Sequence, residues 1–332
     1  MENTTEAINP AGNNSVTDPH WIATMLGAQI ILLFYIESVI GYLWIICAIL
    51  TRKSMWHIMN FFVVSLCCHE LLWANLVVLP VIESYFYHQW TFGSTLCRLR
   101  QDLILVFGGI LLWHVPLIAI HHYIVICHNK FYKKLSKKVC VSLFVVVVRL
   151  VPCSCTIPGV SVENAEYHPN ILRCVFIYGA EQGPRLTLLT TVNIIIPSLI
   201  TAALYIIVSL YGKDNKLTIS ELISRADVQI TKAFGVIFIV MLLSTVPLGI
   251  VHQVEKSTER MHGDIYLIVS VIHLVGTSIY PLIFGSMCRE IHDACLSCFC
   301  NTLSYFRQTT KRRISETEID NSLLNHSSRQ RT

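Results

Sequence analysis

Seven stretches of the chain run for about 20 residues or more with very few charges, at roughly 24–51, 58–85, 95–128, 138–160, 186–211, 229–254 and 265–287. No other feature restricts the fold as much. About twenty apolar residues wound as a helix cross the hydrocarbon core of a bilayer, and a helix lets a lipid-immersed segment satisfy its own backbone hydrogen bonds. Arg149 interrupts the fourth run and blurs its limits. The chain is 53% hydrophobic and only 14% charged, too oily for a soluble protein of 332 residues. The expectation is an all-α membrane protein, a seven-transmembrane helix bundle over 24–287, with loops too short to hold a soluble domain. A short amphipathic helix at 288–300 and a polar, disordered tail at 301–332 follow it.

Orientation comes from the basic residues, which are retained on the cytoplasmic side. The loops after spans 1, 3 and 5, together with the tail, hold 18 Lys and Arg, the opposite side six and the bilayer one. Residues 1–23 are therefore expected outside the cell, and span 1 serves as an uncleaved anchor because no positively charged leader precedes it. Asn3 in "NTT" and Asn13 in "NNS" fit glycosylation acceptors on that outer side. Asn325 in "NHS" fits the same pattern but falls in the inner tail, where it should stay unmodified.

The 13 cysteines sort by compartment. Cys97, at the outer start of span 3, and Cys174, between spans 4 and 5, face the oxidising side, where a disulfide persists. Cys295, Cys298 and Cys300 lie just past span 7 and suit either zinc or acyl chains, with the juxtamembrane position favouring palmitoylation. His114, His121 and His128 recur every seven residues. That spacing advances about 10 Å along a helix, too far for one zinc. Clustered metal ligands, a catalytic nucleophile and a phosphate-binding loop are not evident, so neither an enzyme nor a resident cofactor is expected. Internal repeats of the kind transporters carry are not evident either.

Local motifs sharpen the picture. "NFFVVSLCCHELLWANLVVLP" (60–80), "HQWTFGSTLCRL" (88–99), "HHYIVICHNKFY" (121–132), "IIIPSLITAALYIIVSLY" (194–211) and "SIYPLIFGSMCREI" (278–291) follow one another along the chain. In this order the chain resembles a rhodopsin-like (class A) G protein-coupled receptor, and "HYIVICHNKFYKKLSKK" with "NFFVVSL" is most similar to the melatonin-receptor neighbourhood and related orphan branches. The resemblance implies a plasma-membrane receptor with its N-terminus outside. It would bind an extracellular ligand within the bundle and activate a heterotrimeric G protein through an outward swing of the inner half of span 6, with an arrestin and membrane lipids as further partners. Nucleic acid is not among the partners it implies.

The departures from that pattern bear on mechanism. His122 stands where the family has the arginine that contacts the G protein, and His121 where it has an acid. Thr245 replaces the sixth-helix Trp, Tyr280 the Asn of NPxxY and Phe284 its Tyr. Histidine titrates near neutrality and offers at most two donors, whereas arginine is always charged and offers a fork of five. The expected resting contact is protonated His122 with Asp227, which matches the family's sixth-helix acid. Glu70 takes the place of the sodium-site carboxylate, but Leu111, Gly276 and Tyr280 remove or alter its partners, so a hydrogen-bonded or protonated Glu70 is expected rather than a sodium ligand. Arg149 should face Ser65, with a carboxylate or backbone carbonyls around it. Tyr205, Pro247 and Pro281 complete the expected switch, Pro247 with Gly249 forming a hinge in span 6.

By the same resemblance, the ligand pocket includes Ile104, Leu105, Gly108, Phe176, Asn193, Thr245, Leu248, His252, Ser270 and His273. Ile104 occupies the position of the aspartate that binds amines in aminergic receptors, so a protonated amine lacks its counter-ion. Gly108 and Gly109 leave room for bulk, which suits a neutral lipid-like or indole-like molecule, or a peptide that contacts Glu181 and Glu255. On the inner side, Lys130, Lys133, Lys134, Lys137 and Lys138 face anionic lipid and a G protein. Ser315, after "KRRI", is a candidate phosphorylation site whose added charge would recruit an arrestin-like partner. The altered switch residues also allow a second reading, a receptor fold that does not couple to G proteins and acts as a scavenger, an arrestin-biased receptor or a silent partner.

Overall fold

A computed structural model of the chain describes residues 19–128, most of 142–154, 164–169, 172–177, 191–214, 224–258 and 263–300. Helix α1 is Pro19–Thr51. Helix α2 is Ile58–Tyr87, with a π-helical turn at Ala74–Val78. That turn adjoins Pro80, which has no N–H to donate to the preceding turn, so the helix rearranges locally and continues. Helix α3, Gly93–Cys127, starts from Gly93 at φ 76°, a left-handed backbone that a residue without Cβ adopts freely. Helix α4 is the short apolar segment Val145–Ser154. Strands β1 (Asn164–His168) and β2 (Arg173–Ile177) pair antiparallel, with Tyr167 opposite Cys174 and His168 opposite Arg173.

Helix α5 is a π-helical turn, Thr191–Ile195, that runs into the α-helix Ile196–Asp214, again next to a proline, Pro197. Helix α6, Arg225–Thr258, carries Pro247 inside it. Helix α7 has two parts, Gly263–Ser278 and Tyr280–Met287, bent by 40° just ahead of Pro281. Residues 289–300 form α8.

Two apolar clusters fill the bundle. The inner one joins α1, α2, α3, α6, α7 and α8 around Tyr42, Leu66, Phe234, Tyr280 and Phe284. The outer one joins α1, α2, α3, α7 and the hairpin around Ile31, Trp73, Tyr85, Phe107 and Leu274. Outside these clusters the helices present large apolar side chains to their surroundings. Leu33 and Leu243 are 69% exposed and Leu199 64%, a surface suited to lipid and not to water.

Small residues let the backbones approach. A Cβ on Gly41 would lie 2.6 Å from Cβ of Pro281, and one on Gly276 would lie 2.7 Å from Cβ of Ser244. Gly109 meets Asn193 and Pro152 at 2.9 Å, so its missing side chain serves the contact of α3 with α4 and α5 and leaves no room for ligand. Gly108, with nothing within 4 Å of such a Cβ, keeps the expected open space.

Candidate functional site

At the outer end the Cys97–Cys174 disulfide, with Cα atoms 5.6 Å apart, ties the hairpin to α3. This places the neighbouring Arg173 inside the bundle, where its Nη1 donates to Ser270 Oγ of α7 at 2.8 Å. Arg100, one turn into α3 from Cys97, is 1% exposed and donates from Nε to the Val77 carbonyl and from Nη1 to Gln101 Oε1, each at 3.2 Å. Beneath them His273 of α7 meets Thr245 Oγ1 of α6 at 3.3 Å and stands edge-on to Trp73 at 6.2 Å. The upper site therefore holds two cations beside hydroxyl groups and the outer apolar cluster.

A polar seam crosses the middle of the bundle. Glu70, 2% exposed, contacts His69 Nδ1 through Oε1 at 3.2 Å, and His69 Nε2 lies 3.1 Å from the Phe107 carbonyl. The second contact is satisfied when Nε2 carries the proton, which leaves Nδ1 free to accept from a protonated Glu70 or, as imidazolium, to donate to a carboxylate. Arg149 donates from Nη2 to both the Ser65 carbonyl, at 2.9 Å, and Ser65 Oγ, at 2.7 Å. Ser65 Oγ in turn is 3.4 Å from His114 Nε2, and His114 Nδ1 is 2.8 Å from the Ile110 carbonyl. The half-buried cation is thus held by a hydroxyl and a carbonyl of α2, and α2, α3 and α4 are linked through it.

At the inner end, His122 is 3% exposed and its Nε2 is 3.1 Å from Thr231 Oγ1 of α6. Thr231 Oγ1 donates its one hydrogen to the Asp227 carbonyl at 2.7 Å, so His122 Nε2–H donates to a hydroxyl already held by its own helix. The expected contact of His122 with the Asp227 carboxylate is replaced by this one, a turn further along α6. Asp227 acts electrostatically on His121 instead, the histidine that packs edge-on against Phe62 at 5.7 Å. Tyr280 is fully buried with its hydroxyl unpartnered, and Phe284 packs edge-on with Phe234 at 5.4 Å. Helix α8 is pinned by Trp44 Nε1 donating to the Cys295 carbonyl at 3.0 Å, and by the Arg289 N–H donating to Gln229 Oε1 at 3.2 Å.

With this geometry in view, comparison with known proteins decides the family. The sequence profile of the 7 transmembrane receptor (rhodopsin family) matches residues 41–284. The chain belongs to the rhodopsin family of seven-transmembrane receptors. Squid rhodopsin superposes with a TM-score of 0.72 over 88% of this chain and 92% of its own, at 17% identity, and so supports the fold alone. Among curated relatives, the melatonin receptor type 1B of Homo sapiens is 27% identical over 49% of this chain and 44% of its own length. Melatonin receptor type 1C of Gallus gallus is 24% identical over 73% of this chain and 72% of its own. The receptor spans about half the length of the first curated relatives it matches, between 44% and 55%. It is a class A receptor placed near the melatonin receptors.

Within this rhodopsin-family receptor the residues singled out from the sequence fall into distinct groups. Ser270, His273 and Thr245 stand together under the hairpin, with Ile104 packed against the outer cluster. Leu105 and Leu248 are half-buried on their helices, and Asn193 is buried against Gly109. The side chains of Phe176 and His252 lie outside the described residues, as do Asn3, Asn13, the lysines from Lys130 to Lys138, Glu181, Glu255 and Ser315. Tyr205 sits half-buried on α5, and Pro247 lies within an α6 that continues through it.

Of the three juxtamembrane cysteines, Cys300 is exposed, Cys298 is half-buried 3.9 Å from Cys47, and Cys295 packs against the inner cluster. Burial pushes the Cys295 thiol up to about 11, away from the reactive thiolate. The sequence reading missed His69 and the two arginines. The first was legible as the histidine of "HE" in an oily span. Arg100 and Arg173 were counted only as outer-side charges, although Arg173 adjoins one disulfide cysteine and Arg100 lies one turn past the other.

Proposed function

We propose that this chain is a plasma-membrane receptor, N-terminus outside, that binds an extracellular non-aminergic ligand beneath its disulfide-tied hairpin and activates a heterotrimeric G protein at its inner face. The observation that carries the reading is the His122–Thr231 contact. In a rhodopsin-family bundle it joins α3 to α6 at the position where the family resemblance puts its resting latch. Opening α6 must break this hydrogen bond between neutral or singly charged groups. Such a bond contributes about 0.5–1.5 kcal/mol net, and about 1.5–3 kcal/mol if the imidazole is charged. A ligand that favours the open state needs to supply only a differential of that order. Glu70, Arg149 and the α7 bend lie between the two ends and would carry the rearrangement.

Nucleotide exchange on a panel of purified G proteins by the receptor in nanodiscs tests the reading. Wild type is expected to drive exchange on at least one G protein. His122→Ala should raise the basal rate if the latch restrains the receptor, or abolish exchange if the imidazole also contacts the G protein. No exchange by wild type together with exchange by His122→Arg would refute it.

A second reading is favoured by the depth of His122. A 3% exposed imidazole presents little to a cytoplasmic partner, which suits a receptor fold that signals through an arrestin or acts as a scavenger or silent partner. The His122→Arg arm of the same assay separates the two.

A further inference from the structure

We propose that the outer half of the bundle is an anion-binding site, in which Arg100 and Arg173 together take the carboxylate or phosphate head of a small amphiphilic ligand. This rests on reading the chain as a ligand-binding receptor and names the chemistry of what it binds. Arg100 is 1% exposed and Arg173 6%. A guanidinium keeps its charge, and a buried charge is tolerated where a counter-charge or a full set of acceptors meets it. Here neither is complete. Among the described residues, Arg100 Nη2 and Arg173 Nε have no hydrogen-bond partner, and the bonds these residues do make end on a carbonyl, an amide and a hydroxyl, all neutral. The two cations also act on each other, and both act on His273.

Among the described residues, no ion pair joins a carboxylate to either arginine; those of Glu70, Glu290 and Asp293 are with histidines. Asp102 is two positions along α3 from Arg100, where side chains diverge around a helix.

The other buried polar groups around the pair can donate as well. Among the described residues the hydroxyls of Tyr85 and Tyr167 have no hydrogen-bond partner, Tyr85 acting on both Arg100 and Tyr167, and the Nε1 of Trp73, whose ring stands edge-on to His273, is also without an acceptor. A set of convergent donors with too few acceptors is the complement of an oxyanion, which takes a guanidinium fork on two oxygens. The outer apolar cluster in the same half of the bundle includes Phe107, Leu267 and Leu274, so the anion should carry a hydrocarbon or aromatic body. The sequence reading noted that Ile104 removes the anchor for an amine. The arginines reverse the preferred charge of the ligand.

The test is the melting midpoint of the receptor in nanodiscs, followed by tryptophan fluorescence, with octanoate, octyl phosphate and octanol as probes. Octanoate or octyl phosphate is expected to raise the midpoint by roughly 2 °C or more, octanol by less, and the comparison of the two anions identifies the head group. Arg173→Gln, on the hairpin, should abolish the rise. Ser270→Asp, which offers Arg173 a built-in carboxylate, should melt above wild type without any probe and no longer respond to the anions. The proposal is overturned if octanol matches the anions or Arg173→Gln keeps the rise. It is equally overturned if no probe acts and Ser270→Asp melts no higher than wild type. Anion-dependent melting with no G protein exchange would retain the site and reject the signalling reading, whereas exchange without any anion effect would do the reverse.

Discussion

Replacing Gly41 with alanine should loosen the contact between α1 and α7 at the bend that carries Tyr280 and Pro281. The added Cβ would sit 2.6 Å from Cβ of Pro281 and 3.1 Å from its Cγ, against the 3.4–4 Å of an ordinary contact. Neither neighbour can give way easily, because both atoms belong to a ring fused to the backbone of α7. The helices must therefore separate by most of an ångström, at a cost of about 1–3 kcal/mol, as for other overpacked cores. Tyr42, whose hydroxyl donates to the Thr277 carbonyl at 3.3 Å on the next turn, would lose that bond as well. At roughly 2–4 °C per kcal/mol, the melting midpoint should fall by roughly 2–12 °C in a thermal unfolding assay. Gly108→Ala is the control, since nothing lies within 4 Å of its Cβ, and should melt as wild type does. If Gly41→Ala also melts as wild type, close backbone approach is not what holds α1 on α7.

Three other substitutions test the polar seam and α8. Ser65→Ala removes the 2.7 Å hydroxyl contact of Arg149 and should cost about 1.5–3 kcal/mol, read as a lower melting midpoint, while Ser65→Thr restores most of it. His69→Ala leaves Glu70 buried without its imidazole partner and should destabilise by about 3–5 kcal/mol if Glu70 is charged, against a small effect for Glu70→Gln, and surface expression with melting distinguishes them. Palmitate labelling should fall most in Cys300→Ala and least in Cys295→Ala, because the first thiol is exposed and the second is buried with its ionisation pushed up to about 11.

The seven apolar runs were enough to foresee the bundle, because span length and backbone satisfaction in lipid leave a helix few alternatives. The disulfide followed from compartment alone. Arg149 was expected to meet Ser65 and does, since a half-buried cation on α4 had few polar neighbours on α2 within reach. What the sequence did not disclose were contacts fixed by rotation of one helix against another. His122 meets Thr231 rather than the Asp227 side chain because one turn of α6 separates the two, and matching Asp227 to the family's sixth-helix acid does not resolve which side chain faces inward. The two glycines at 108 and 109 read alike in sequence, yet successive positions on a helix point about 100° apart, so one faces open space and the other faces Asn193 and Pro152. Arg173 illustrates the same limit. Its place inside the bundle depends on a hairpin register that pairs it with His168 while Cys174 is tied to α3.

The central claim is that the His122–Thr231 contact restrains α6 and that G protein binding opens it. The distance between spin labels, introduced as unnatural amino acids at Thr51 on α1 and Lys232 on α6, measures this directly in nanodiscs with and without nucleotide-free G protein. The distance is expected to lengthen when the G protein binds, and Thr231→Val is expected to shift the population part of the way without it. An unchanged distance in both cases would contradict it.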